Sequence, residues 1–111
     1  MKLRVQKSDE FLIDYALIFR WYVAEAGVET AWRFEAALDA TLEEIALQPQ
    51  LGRQRSFKHP RLQGMRSFRV DEPFGRLLIF YRVNGEQVAA VRLMHGARDL
   101  GRRLAELPDM G

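Results

Sequence analysis

The chain has 111 residues, 48% hydrophobic and 29% charged, a composition that suits one compact domain spanning residues 1–111. Lys+Arg of 17 against Asp+Glu of 15 leaves a formal charge of only +2, so bulk charge alone selects no polyanionic partner. Cysteine is absent, which excludes disulfides, iron-sulfur clusters and thiolate zinc sites, and no motif points to a metal or cofactor. There is no amino-terminal signal pattern and no apolar run of spanning length, so a cytoplasmic location is expected. At this size a small toxin, inhibitor, binding module or subunit is easier to support than a two-domain enzyme.

Met1 to Lys7 alternates Leu3 and Val5 with Arg4 and Gln6, the pattern of a short strand. Ser8-Asp9-Glu10-Phe11 places a capping hydroxyl before two acids, which predicts a helix from Ser8 to about Ala26, ended by Gly27. Its main apolar stripe is Phe11, Leu12, Tyr15, Ile18, Phe19, Tyr22 and Val23. A second stripe of Ile13, Leu17 and Trp21 lies opposite, either against the next helix or as a partner-binding ridge. A second helix is predicted from Val28 to Leu47, stopped by Pro49, with Phe34, Leu38, Leu42, Ile45, Ala31 and Ala37 inward and Trp32 off that stripe. The two helices form an antiparallel hairpin.

Gln48 to Gly64 reads as a loop rich in proline, glycine and arginine, with His59 and the lone aromatic Phe57 among basic residues. Met65 to Asp71 reads as a strand and Glu72-Pro73-Phe74-Gly75 as a turn. Arg76 to Val83 and Glu86 to Met94 then flank Asn84-Gly85, a dipeptide suited to a two-residue type I′ hairpin turn. That turn puts Val83 opposite Glu86 and sorts the side chains into two faces. One carries Leu77, Ile79, Tyr81 and Val83 with Val88, Ala90, Arg92 and Met94; the other carries Leu78, Phe80 and Arg82 with Ala89, Val91, Leu93 and His95. Both are largely apolar, so both need a cover. After His95-Gly96, a basic helix is predicted from Ala97 to Leu107, ended by Pro108.

The order is β-α-α-β-β-β-α, an α+β fold with an antiparallel sheet, the helical hairpin on one face and the other face only partly covered. From Gly52 to Arg103 the cations are nearly all arginine, which suits bidentate contact with phosphate or carboxylate. That half therefore fits nucleic acid or an acidic protein, unless its arginines simply form a solvated, ion-paired surface.

Several segments resemble the ParE/RelE superfamily of bacterial type II toxins, in particular its ParE-like branch. They are Gln48-Pro49-Gln50-Leu51-Gly52-Arg53, Leu62-Gln63-Gly64-Met65-Arg66-Ser67-Phe68, Leu78-Ile79-Phe80-Tyr81-Arg82-Val83 and Val91-Arg92-Leu93-Met94-His95-Gly96-Ala97-Arg98-Asp99-Leu100. The resemblance covers nearly the whole chain. It implies a toxin held inactive by a cognate antitoxin, ParD-like or other, whose carboxy-terminal segment folds onto it. ParE-like members are known as inhibitors of DNA gyrase, and RelE-like members as ribosome-dependent messenger RNA endonucleases; fold does not choose between them.

An RNase of the second kind needs a base, an acid and cations at the phosphate, for which the possible set here is His95, Arg66 and Arg82. There is no tyrosine after Tyr81, the terminal segment from Ala105 to Gly111 offers no obvious acid-base replacement, and His95 at a strand exit suits a structural role, for instance a hydrogen bond to Asp99. A gyrase-binding toxin needs no catalytic residue. Its expected target-binding residues are Arg66, Arg82, Arg92, Arg98, Arg102 and Arg103. An acidic, amphipathic antitoxin segment is expected to meet Leu78, Phe80, Val91 and Leu93 on the second sheet face, and the ridge of Ile13, Leu17 and Trp21. A plain binding module without toxicity is a third reading.

Overall fold

Ser8 sets the first helix as its sequence requires. In the computed structural model, which describes residues 1–96 and Leu104, the Ser8 Oγ accepts a hydrogen bond from the Phe11 N–H at 3.0 Å and donates one to the Val91 carbonyl at 2.8 Å. The cap thus also ties the helix start to the sheet. Strand β1 (Arg4–Lys7) precedes it; α1 (Asp9–Ala26) and α2 (Val28–Leu47) follow, separated by Gly27 at φ 95, a conformation open to glycine. Then come β2 (Arg53–Gln54), a 3₁₀ turn (Pro60–Leu62), β3 (Arg66–Arg69), β4 (Leu77–Asn84) and β5 (Gln87–His95). The predicted terminal helix from Ala97 to Leu107 lies outside the described residues, except for Leu104.

The five strands stand in the order β1-β5-β4-β3-β2. All neighbours are antiparallel except β1, which lies parallel to β5, so the expected α+β sandwich is present with a mixed sheet. The helical hairpin covers one face. Phe11, Phe34, Leu38, Leu42 and Ile45 pack there on Val70, Leu77, Ile79, Tyr81, Val88, Ala90 and Leu93. Phe34 and Phe74 meet edge to face with centroids 5.8 Å apart, and Tyr22 packs against both. Thr41 ties α2 to the chain beyond β3: its hydroxyl donates to the Ala37 carbonyl and accepts from the Asp71 N–H at 2.9 Å.

The β4–β5 register corrects the expected one. The turn residues are Gly85 and Glu86, so Asn84 pairs with Gln87 and Val83 with Val88, two residues along β5 from the predicted partner, which leaves the faces next to the turn as predicted. A bulge follows: Tyr81 pairs with Ala90 but Phe80 pairs with Arg92, leaving Val91 as the extra residue. One inserted residue reverses every side chain beyond it. Leu93 and His95 therefore fall on the row of Ile79 and Leu77, toward the helices, while Arg92 and Met94 fall on the row of Phe80 and Leu78. This is the reverse of the predicted faces for these four residues.

The second sheet face is also covered from within. Phe80, Met65, Leu62, Met94 and Leu104 form a buried cluster, with Phe57, Leu78 and Val91 packed around it. The loop from Gln48 to Gly64 supplies two of these side chains, Phe57 and Leu62, and Met65 directly follows it. Phe80 is 0% exposed and Leu93 1%. The expectation that these two present a docking surface is corrected: each is core, Phe80 beneath the loop and Leu93 beneath the helices.

At the end of α2 the Glu44 carboxyl is held above the usual carboxylate range, first by loss of hydration and then by the charge and hydrogen bond of Asp71. A group whose folded pKa is raised stabilises the fold while protonated, and that contribution is lost as pH rises through the folded pKa. Glu44→Gln, which keeps a donor toward Asp71 without needing a proton, is expected to raise the urea midpoint at neutral pH. The gain should vanish in acid below the ordinary carboxylate pKa, as urea titrations at the two pH values would show.

Candidate interaction surface

Where β1 ends at Lys7, the outer edge of β5 would be left open, and α1 closes it through a carboxylate. Asp14 accepts from the Leu93 N–H at 2.9 Å and from the Arg92 guanidinium at 2.7 and 3.1 Å. Arg92 also reaches the Leu104 carbonyl at 3.4 Å. Both side chains are more than nine-tenths buried. Arg92 is therefore an internal tie, and its expected role as a target-binding arginine is corrected.

Arg66 and Arg82 are half-buried and likewise bond to backbone carbonyls. Arg66 Nη1 donates to Gly52 O at 2.8 Å, fastening the loop after α2 to β3. The same loop is gripped by Tyr81, whose hydroxyl donates to Pro49 O at 2.7 Å and accepts from the Gly52 N–H at 2.8 Å. Burial pushes the Tyr81 phenol up, against smaller opposing effects of the Gly52 hydrogen bond and the Arg66 charge. Arg82, on the other sheet face, donates to Gln63 O and Arg61 O and holds the loop over Phe80. His95 is exposed at the far end of β5, opposite Leu77, whereas Arg82 pairs with Ala89 beside the turn. At the strand rise these positions are about 20 Å apart. The bulge also puts them on opposite faces.

The expected nuclease set is thus dispersed. Among the described residues no group of three His, Cys, Asp or Glu is placed to hold a metal ion. Arg98, Arg102 and Arg103 lie outside the described residues, as does Asp99. Of the expected antitoxin-binding positions, Leu78, Val91, Ile13 and Leu17 are half-buried and Trp21 is 53% exposed.

Different arginines are available at the surface. Arg53, Arg69 and Arg76 are exposed and line a concavity of about 1370 Å³ together with Arg55, Leu51, Leu78, Trp21 and His95. The ion pairs among the described residues are Lys2–Glu43 and Arg92–Asp14, so these three cations have no carboxylate there. Arg55 donates to the Ser67 hydroxyl at 2.8 Å and lies over the Phe80 ring at 6.0 Å from its centroid. Its pKa is lowered by burial and then by the nearby Arg53 charge. The signal for this surface was the arginine spacing 53, 55 and 69, 76, but only the short β2–β3 pairing shows that these sites converge.

The family profile described as the ParE toxin of the type II toxin-antitoxin system parDE matches residues 5–100. The chain belongs to the ParE toxin family. Toxin ParE3 of Caulobacter vibrioides is 30% identical over 93 residues, covering 84% of this chain and 86% of that protein. A solved chain of the chromosomal ParDE toxin-antitoxin system from P. aeruginosa superposes with a TM-score of 0.69 at 17% identity, covering 86% of this chain and 98% of the other, which supports the shared fold. Among the described residues of this ParE-family toxin, no helix is long and apolar enough to cross a membrane.

Proposed function

We propose that this chain is the toxin of a type II toxin-antitoxin pair that acts in the cytoplasm by binding DNA gyrase, without catalysis of its own, and so blocks replication. A cognate antitoxin, ParD-like or other, neutralises it by forming a hetero-oligomer. The observation that carries the non-enzymatic reading is the dispersal of His95, Arg66 and Arg82: two bond to loop carbonyls, and the third is exposed at the far end of β5. A general acid and base for phosphoryl chemistry must converge on one phosphate, within hydrogen-bond reach of it. The arginine-lined concavity supports action through a surface, as does the family of the chain.

Expression without the antitoxin is expected to arrest growth, and co-expression with it to restore growth. His95→Ala is expected to leave the protein folded and its toxicity largely retained. Loss of toxicity in a folded His95→Ala protein, together with ribosome-dependent cuts in messenger RNA by the parent, would favour a RelE-like endonuclease. No arrest by the parent chain would leave the non-toxic binding module.

A further inference from the structure

We propose that the concavity at the outer edge of β3 docks an acidic, extended segment of a partner chain, which adds to the sheet beside Arg69 and seats an apolar side chain against Trp21 and Leu51. This rests on the reading of the chain as a toxin with a neutralising partner, and gives that partner a place.

Three independent features converge there. The first is an unfinished sheet edge. The Val70 N–H donates to the Leu77 carbonyl at 3.0 Å, and the alternation of an antiparallel ladder then turns the N–H and C=O of Arg69 outward. β2 pairs only with Arg66 and Ser67, so these groups of Arg69 find no partner among the described residues. The chain before β2 is drawn away by the Tyr81 and Arg66 bonds to Pro49 and Gly52. An extended peptide supplies the missing donor and acceptor, which a duplex nucleic acid does not.

The second feature is uncompensated charge. Arg53 and Arg69 project from the sheet face away from the helices, in the rows of Ser67 and Leu78, and Arg76 lies close by at the start of β4. Glu72 is the acid lining the concavity, and its carboxylate lies over Gly75 without an ion pair to these arginines. Carboxylates on the partner would relieve the crowding of Arg53 against Arg55 and make charge-assisted hydrogen bonds. The third is apolar surface. Trp21 is 53% exposed and Leu51 40%, at the helix-side rim of the same concavity. A tryptophan beside arginines is a composition typical of binding hot spots.

Trp32→Phe leaves Trp21 as the sole tryptophan and an internal reporter. The probe is a short synthetic peptide alternating glutamate with leucine, titrated into this variant at low salt. We expect a saturable shift of Trp21 emission to shorter wavelength. Arg53→Glu or Arg69→Glu should weaken binding about tenfold each, the loss of one charged hydrogen bond. Arg4→Glu at the opposite sheet edge should leave it unchanged, and circular dichroism would confirm that each variant is folded. No emission shift, affinity indifferent to Arg53 and Arg69, or equal weakening by Arg4→Glu would overturn the proposal. Duplex DNA binding with the same arginine dependence while the peptide fails would overturn it in favour of a phosphate backbone. Growth arrest by the parent chain is scored separately, so failure of the docking site and failure of the toxin reading are distinguishable.

Discussion

Asp14→Ala should lower the unfolding free energy by about 3–5 kcal/mol, the cost of stripping one partner from a buried ion pair. The substitution leaves the Arg92 guanidinium buried without its carboxylate and removes the acceptor of the Leu93 N–H in the same step. Small domains hold only about 5–15 kcal/mol in total, so the loss removes a large share of the stability. Replacing both partners, Asp14→Leu with Arg92→Met, should cost far less, because no charge is then stranded. Urea unfolding of the parent, the single and the double variant checks this. A single-variant loss below about 1 kcal/mol, the range of exposed pairs, would mean that the pair is not sealed from water.

Gly52→Ala carries the second large effect. A Cβ at Gly52 would lie 2.4 Å from the Tyr81 hydroxyl and 2.6 Å from its ring carbon, and that ring is 0% exposed and walled by core side chains. Either the ring or the loop must move, and the hydrogen bonds of Tyr81 to Pro49 and Gly52 are lost with the movement. Overpacking of this kind costs about 1–3 kcal/mol. Because Leu51 and Arg53 flank Gly52, affinity for the acidic peptide should also fall, beyond what the stability loss alone explains. Calorimetric melting and the Trp21 titration read the two effects separately. Unchanged values in both would show that the loop is not clamped by Tyr81.

The helices were legible almost to the residue, because their ends are written in local chemistry: the Ser8 hydroxyl, Gly27 at positive φ, and apolar spacing that fits α2 over Val28–Leu47. Four of the five strands were legible from alternation and turn residues, but β2 (Arg53–Gln54) lies in the stretch that reads as a loop. Register was not legible. Asn84-Gly85 looks like the turn, yet the turn sits one residue later, and nothing in Ala90-Val91-Arg92 marks a bulge. That bulge alone decides that Leu93 joins the main core and that Arg92 reaches Asp14.

The arginines show a different limit. Composition announces many cations but not which of them bond to carbonyls, and carbonyl positions are set by loop paths that have no periodic signal. Arg66, Arg82 and Arg92 are absorbed by Gly52, by Gln63 with Arg61, and by Asp14. Arg53, Arg69 and Arg76 remain on the surface. The cover of the second face was signalled by Phe57 and Leu62, apolar residues that an exposed loop has little reason to carry.

A toxin that works through a surface must act on its target without turning over a substrate. The most direct test adds the purified chain to purified gyrase with ATP and relaxed plasmid, scoring supercoiling and protein-linked cleaved DNA. Supercoiling should fall and cleaved DNA accumulate in proportion to the added chain, with His95→Ala as potent as the parent. Undisturbed supercoiling at a large excess of folded chain, with no cleaved DNA, would contradict gyrase as the target.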